Sequence, residues 1–326
     1  FIEAVQNDPD TSELHFALGN LFRRRGEYDR AVRVHEHLLS RGDLGRVDRE
    51  RAQHALALDF LKAGLLDRAE QALQRLEGTP FEAEARLALL AIYERSSDWS
   101  LAAAIADKMH RAAQGDFSTR QAHYLCEQAA TLLGKGQTEE ARSLLQRAIA
   151  TAPHAARARI DLAAMQQASG DHAAAFSTLR TMGEATPAAL PLAAARLAQA
   201  ASSSQQPQAA LDLLTSSYAT SPSLDVLEAI VALTASGTGD NEQARTWYVK
   251  HLEREPSLVA AAKWIAGEKL EHAQFHPQIQ RALDHAVKPL TRYRCAACGF
   301  EAKQHFWQCP GCQTWDSYPA RRVEEL

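Results

Sequence analysis

Four of the five cysteines fall within eighteen residues, CAACGFEAKQHFWQCPGC (295–312), as two Cys-x-x-Cys knuckles with ten residues between them. Such a turn points both sulfurs to one side while its backbone N–H groups donate to them, and two such turns complete a tetrahedral sulfur cage. The spacing nominates Cys295, Cys298, Cys309 and Cys312 as ligands of a single metal ion. A tetrathiolate set accepts iron or zinc, and the sequence does not choose between them. Gly299 follows the first knuckle, where a left-handed residue is useful, and Pro310 and Gly311 shape the second. A thioredoxin-like redox pair would need a surrounding βαβ pattern, which is absent. With Cys126 standing alone, the paired knuckles fit metal binding in a reducing compartment, the cytosol, better than a disulfide framework. The 36 residues from Thr291 to Leu326 fall below the roughly 40 that usually fold on an apolar core alone, so metal is expected to hold them. Tyr293, Phe300, Phe306, Trp307 and Trp315 are expected to pack around the sulfurs.

The rest of the chain must position this module, and it reads as alanine- and leucine-rich helix. LHFALGNLFRRRGEYDRAVRVHEHLL (14–39) has apolar residues at three- and four-residue spacing, a break at Gly26, then a second helical pattern holding Ala31. Aligning that small residue gives Ala31, Ala69, Ala102, Ala141, Ala175, Ala210 and Ala244, a period close to 34. Turn glycines stand five residues earlier at Gly26, Gly64, Gly136, Gly170 and Gly239. Prolines follow twelve residues after the alanine at Pro153, Pro187, Pro222 and Pro256 and stop each unit. Alanine lets two antiparallel helices approach, glycine permits the left-handed turn, and neighbouring units must stack because one cannot bury its apolar face alone.

With Leu18-Gly19, Phe22, Gly26, Tyr28, Ala31 and Leu38, the pattern resembles the tetratricopeptide repeat family, in about seven units plus a fragment. The fold expected is therefore all-α. A tetratricopeptide-repeat superhelix with extra C-terminal helices occupies 1–290, and a small rubredoxin-like or zinc-ribbon metal module occupies 291–326. The repeats are degenerate: Ser97 stands where a turn glycine is expected, SSSQQP (202–207) occupies the sixth turn, and GDLGRVD and QGDFST lengthen two intervals. The first residues, FIEAVQNDPDT, look like the end of a helix with a partner upstream.

Composition and motifs exclude more than they assign. A formal charge of −4 with acids and bases interspersed offers no footprint for duplex nucleic acid, and no nucleic-acid partner is expected. Around the knuckles Arg292, Arg294, Lys303, Arg321 and Arg322 are diluted by Glu301, Asp316, Glu324 and Glu325. No apolar run of about 18 residues spans a membrane. No phosphate-binding loop, dinucleotide fingerprint, nucleophile elbow or His-Glu-x-x-His string occurs, so no catalytic residue is nominated. His35, His37, His110, His154 and His251 read as ordinary surface or half-buried histidines, and Cys126 as a small, partly buried apolar residue. Asn20 and Arg23 could serve a carboxylate clamp, but Phe16, His54 and Cys126 fall where its other basic residues belong. The extended inner face of stacked repeats suits a protein or peptide, which favours a scaffold or adaptor over an enzyme.

A degenerate repeat array followed at once by RYRCAACGF and WQCPGC resembles the lipopolysaccharide assembly protein B family of Gram-negative bacteria. Repeat-one LGNLFRRRGEYDRAVRVHEHLL and repeat-two AGLLDRAEQAL carry the likeness further. The resemblance implies a non-enzymatic adaptor on the cytoplasmic face of the inner membrane, anchored by a helix that would precede Phe1. It implies that the protein promotes degradation of the deacetylase LpxC by the membrane protease FtsH. It also implies contact with an inner-membrane lipopolysaccharide-sensing regulator and with lipopolysaccharide assembly factors, and metal ligation by Cys295, Cys298, Cys309 and Cys312. The alternatives are a generic cytosolic scaffold whose zinc ribbon binds protein or nucleic acid, and an electron-transfer protein of rubredoxin type.

Overall fold

In a computed structural model of the chain, residues 12–238, 241–268 and 273–326 are described. The helix end read at 1–11 and the turn glycine Gly239 lie outside them, as does the side chain of Ala244. Seven helix pairs run through the described residues. They are α1 (Ser12–Arg24) with α2 (Tyr28–Ser40), α3 (Arg46–Ala63) with α4 (Leu66–Gln74), α5 (Glu82–Ser96) with α6 (Trp99–Arg111), and α7 (Ser118–Gly134) with α8 (Thr138–Thr151). There follow α9 (Ala156–Ala168) with α10 (His172–Ala185), α11 (Leu190–Ser203) with α12 (Pro207–Thr220), and α13 (Leu224–Thr238) with α14 (Asn241–Arg254). The half-unit α15 (Leu258–Ala266) and α16 (His276–Val287) lead to a two-residue hairpin, β1 (Tyr293–Arg294) and β2 (Glu301–Ala302). The chain forms two compact units, Phe1–Tyr124 and Leu125–Leu326, divided within α7.

The repeat logic holds residue by residue. Ala31, Ala69, Ala102, Ala141, Ala175 and Ala210 are each fully buried where paired helices touch. Gly26, Gly64, Gly136 and Gly170 turn the chain with φ between 75° and 83°. Where glycine is missing the backbone does not change: Ser97 (φ 58°) and Gln205 (φ 59°) adopt the same left-handed conformation. α8, α10, α12 and α14 each stop two residues before their proline. The lengthened connections are plugged by their own side chains, buried Leu44 and Phe117.

In the first unit, Phe16, Leu38, Leu44 and Ala52 form one apolar cluster and Leu18, Phe22 and Ala31 another. Between them lies a buried polar group that the sequence reading missed. His35, on α2, is fully buried rather than at the surface or half-buried, and its Nδ1 is 2.5 Å from Asp59 Oδ2 on α3. Arg23 donates to Asp59 Oδ1 at 2.9 Å and to the Ala55 carbonyl, and also holds Asn20. The two residues considered for a carboxylate clamp are thus engaged inside the array. A Cβ on Gly19 would sit 2.5 Å from the His35 ring, so glycine here makes room for a side chain. His251 is likewise buried, hydrogen-bonded to Tyr218 Oη at 2.7 Å.

In the second unit, alanine- and leucine-rich α9 to α15 build one continuous core, against which Val287, Leu290 and Trp307 pack. Residues just before the metal module and within it therefore rest on this repeat core.

Candidate metal centre

The two knuckles are one turn built twice, fourteen residues apart. Cys295 N–H donates to the Phe300 carbonyl and Gly299 N–H to Cys295; Cys309 N–H donates to Thr314 and Gln313 N–H to Cys309, all at 2.9 Å. The hairpin pair Arg294–Glu301 has its counterpart in the bridge between Gln308 and Trp315. The left-handed residue after each second cysteine is Gly299 (φ 77°) in one knuckle and Gln313 (φ 62°) in the other. Gln313, rather than Gly311, therefore makes the second turn; the smallness of Gly311 instead admits Phe300, whose ring would lie 3.5 Å from a Cβ there.

All four sulfurs lie within 4.8 Å of one another, with Cys295–Cys312 at 3.8 Å and Cys298–Cys309 at 3.7 Å. A tetrahedron with Zn–S bonds of about 2.3 Å has edges of about 3.8 Å, so the donor set fits such an ion in number, softness and spacing. Cys295 and Cys309 are buried, Cys298 and Cys312 exposed. Burial of the Cys295 thiol opposes ionisation, but the Ser317 hydroxyl 3.2 Å away and the N–H groups of Cys298 and Ala297 bring it down to about 6. The Thr314 hydroxyl, 3.3 Å from Cys312 Sγ, and the Thr314 N–H lower that thiol too. For Cys298 the Phe300 N–H favours the thiolate, yet local desolvation and the three neighbouring sulfurs win and push it up to about 12. The donors around Cys295 and Cys312 thus favour their thiolate forms, the forms in which cysteine binds a metal ion.

Tyr293, Cys295, Cys309 and Tyr318 form the buried heart of the module, with Phe306 and with Leu192 of α11 against it. Two of the aromatics expected there do otherwise: Phe300 is largely exposed, and Trp307 turns to the repeat core. In their place stand Tyr318, whose hydroxyl donates to the Phe300 carbonyl at 3.1 Å, and His305, edge-on to Tyr293 and Trp307. Neither was legible in the spacing of the cysteines.

Most of the basic and acidic residues around the knuckles are paired within the fold. Arg322 makes a two-pronged contact with Asp225 of α13 (2.6 and 2.9 Å), donates to the Thr291 carbonyl, and lies 4.1 Å over the Tyr293 ring. Arg294 pairs with Glu301 at 2.8 Å and Arg321 donates to Ser221. Glu324 accepts from Ser257 Oγ and from the Leu258 and Val259 N–H groups at the start of α15. Glu325 accepts from the Leu224 N–H at the start of α13 (2.6 Å). Carboxylates at helix N-termini satisfy otherwise unpaired N–H groups and complement the helix dipole, so this tail fastens the module to two helices at once.

Comparison with known proteins matches these parts separately and together. Residues 293–318 match the family described as rubredoxin metal binding domain, and residues 14–49 and 132–200 match tetratricopeptide repeat families. Lipopolysaccharide assembly protein B of Escherichia coli (strain K12) is 28% identical over 340 aligned residues, spanning 100% of this chain and 85% of that protein. The protein of the same name from Haemophilus influenzae is 27% identical across 94% of this chain and 78% of its own length. Among solved structures, one titled "Structure of Naa15/Naa10 bound to HypK-THB" superposes with a TM-score of 0.50 at 14% identity, over 89% of this chain and 44% of that one, a likeness of fold. Among the described residues no helix is long and apolar enough to cross a membrane.

Proposed function

We propose, from the premise that this chain is a relative of lipopolysaccharide assembly protein B carrying tetratricopeptide repeats and a rubredoxin-type module, that it is a non-enzymatic adaptor in lipopolysaccharide assembly. In this reading it works at the cytoplasmic face of the inner membrane, bringing the deacetylase LpxC to the membrane protease FtsH for degradation. It also answers to a lipopolysaccharide-sensing regulator and contacts assembly factors. Residues 1–290 serve as the partner-binding array and 291–326 as the metal module, in which Cys295, Cys298, Cys309 and Cys312 hold one zinc or iron ion. The observation that carries the reading is the similarity that runs across repeats and module alike. The seating of the module on α11, α13 and α15 agrees with the two parts acting as one device.

The test is a pull-down with the natural full-length protein. The protease and the deacetylase should co-purify with it, truncation at Pro289 should reduce their recovery, and cells lacking the protein should accumulate the deacetylase. Recovery of neither protein, with unchanged deacetylase turnover, would sink the reading.

A further inference from the structure

The metal module, its linker and the last repeats meet around a cavity of about 320 Å3, all of it within the second unit. Four cations converge on it from four segments: Lys263 of α15, Lys288 at the end of α16, Lys303 just after β2, and Arg322 of the tail. Two carboxylates face them, Asp225 and Glu228 in the first two turns of α13. The walls thus hold a surplus of positive charge in a chain whose net charge is −4. Three other cavities, at α4–α6, at α7–α9 and at the Gly26 turn, are lined by acids and bases in equal number.

The surplus belongs to two residues. Arg322 is taken by its two-pronged contact with Asp225 and by the Thr291 carbonyl. Lys263 lies 3.5 Å from Glu228, with both side chains about half exposed. Lys288 and Lys303 make no ion pair among the described residues, and both are exposed, so a ligand has access to them. The tail carboxylates do not fill the gap: Glu324 and Glu325 are held by N–H groups at the starts of α15 and α13 and are not part of the walls. Like charges gathered around one concavity repel one another and focus an attractive potential on an arriving anion.

We infer that this cavity binds the phosphate group of a phosphomonoester, between Lys288 and Lys303 and with Lys263 sharing its charge. At neutral pH such a group carries about two negative charges and three strong acceptor oxygens, a match for two unpaired ammonium groups. A carboxylate brings one charge and leaves a lysine uncompensated. Lysines act on phosphate as point charges on flexible stems, so the site needs no bidentate geometry. Asp225 and Glu228 each hold a cation already, which blunts their repulsion of the anion. Because Lys303 belongs to the module, Lys288 to the linker and Lys263 to the repeats, a bound phosphate ties the three together and stabilises the seating of the module. The site does not depend on the adaptor role proposed above.

Isothermal titration of the metal-loaded full chain with glycerol 3-phosphate, at constant ionic strength, tests the inference. One site should fill, more tightly than with acetate, and the ligand should raise the melting temperature. Lys288→Gln and Lys303→Gln should each weaken binding by about fivefold and the double variant by at least about tenfold, with helical content and metal content unchanged. Lys135→Gln, which removes an exposed lysine beyond α7, should leave it as it was. Phosphatidylcholine vesicles with and without phosphatidic acid separate the sources: displacement of glycerol 3-phosphate by the doped vesicles alone assigns the site to a lipid headgroup, and no displacement assigns it to a soluble phosphomonoester. No binding of either phosphate source, equal affinity for acetate, indifference to both lysine substitutions, or an equal loss with Lys135→Gln overturns the inference.

Discussion

The repeat array and the metal module both turn on left-handed residues, yet they bear departures from the ideal residue very differently. In the array, Ser97 and Gln205 replace glycine and the helices on either side still pack with Ala102 and Ala210 fully buried. Each unit is held over its whole length by neighbours, so a strained turn is a local loss. The module has no such reserve. Its buried heart is two tyrosines and two cysteines, and its hairpin is two residues long. What remains is the sulfur cluster and a tail that fastens to α13 and α15. A stacked solenoid spreads its stability, whereas a metal-sized domain concentrates it in a few atoms.

The sharpest way to break this contrast is to remove the proposed ligands. Cys309→Ser/Cys312→Ser should abolish metal content and unfold residues 291–326, because structural zinc contributes on the order of 10 kcal/mol. Trp307 fluorescence and metal analysis should change while most of the helical circular dichroism persists. Loss of the whole array would mean that stability is not divided as described. Within the array the vulnerable points are the packing alanines. Ala175→Leu should cost about 1–3 kcal/mol by forcing α9 and α10 apart, read from urea unfolding.

A smaller effect is expected at the joint. Arg322→Ala removes a largely buried pair with Asp225 and should lower stability by about 1 kcal/mol or more, and a double-mutant cycle with Asp225→Ala should recover part of it as coupling. At the turns, Ser97→Gly and Gln205→Gly should each stabilise by up to about 1 kcal/mol, since glycine occupies a left-handed conformation without strain. Smallest is the pH effect of Glu325, whose carboxyl is held above the ordinary value by burial, against the Arg322 and Leu224 N–H groups that favour its charged form. A raised folded value means that stability rises as pH falls through it toward the unfolded value near about 4.3. Melting of the parent minus melting of Glu325→Gln should show that gain on acidification, and a difference independent of pH would refute the assignment.

Much of this was legible because the chemistry repeats. The period near 34, the buried alanines, the turn glycines and the four clustered cysteines all recur at fixed spacings, and the physical demands behind them are local. Gln313, Ser97 and Gln205 were not legible as left-handed turns, because outside glycine a side chain does not announce that conformation. The burial of His35 was hidden as well, since it depends on Asp59 from the next unit and on the absence of a side chain at Gly19. Phe300 and Trp307 were misplaced for a related reason: an aromatic near a sulfur cluster can face the cluster, the solvent or a neighbouring domain with the same spacing.

By itself, then, the sequence determined the helical period, the contact points between paired helices and which four cysteines cluster, because local geometry demands particular residues at particular intervals. Only the tertiary structure decided what the polar residues do. Arg322 meets Asp225 across 97 positions, and Glu324 and Glu325 reach helix starts 66 and 101 positions away. Charge and hydrogen bonding act through distance in space and through burial, and neither is written in the spacing of residues along the chain.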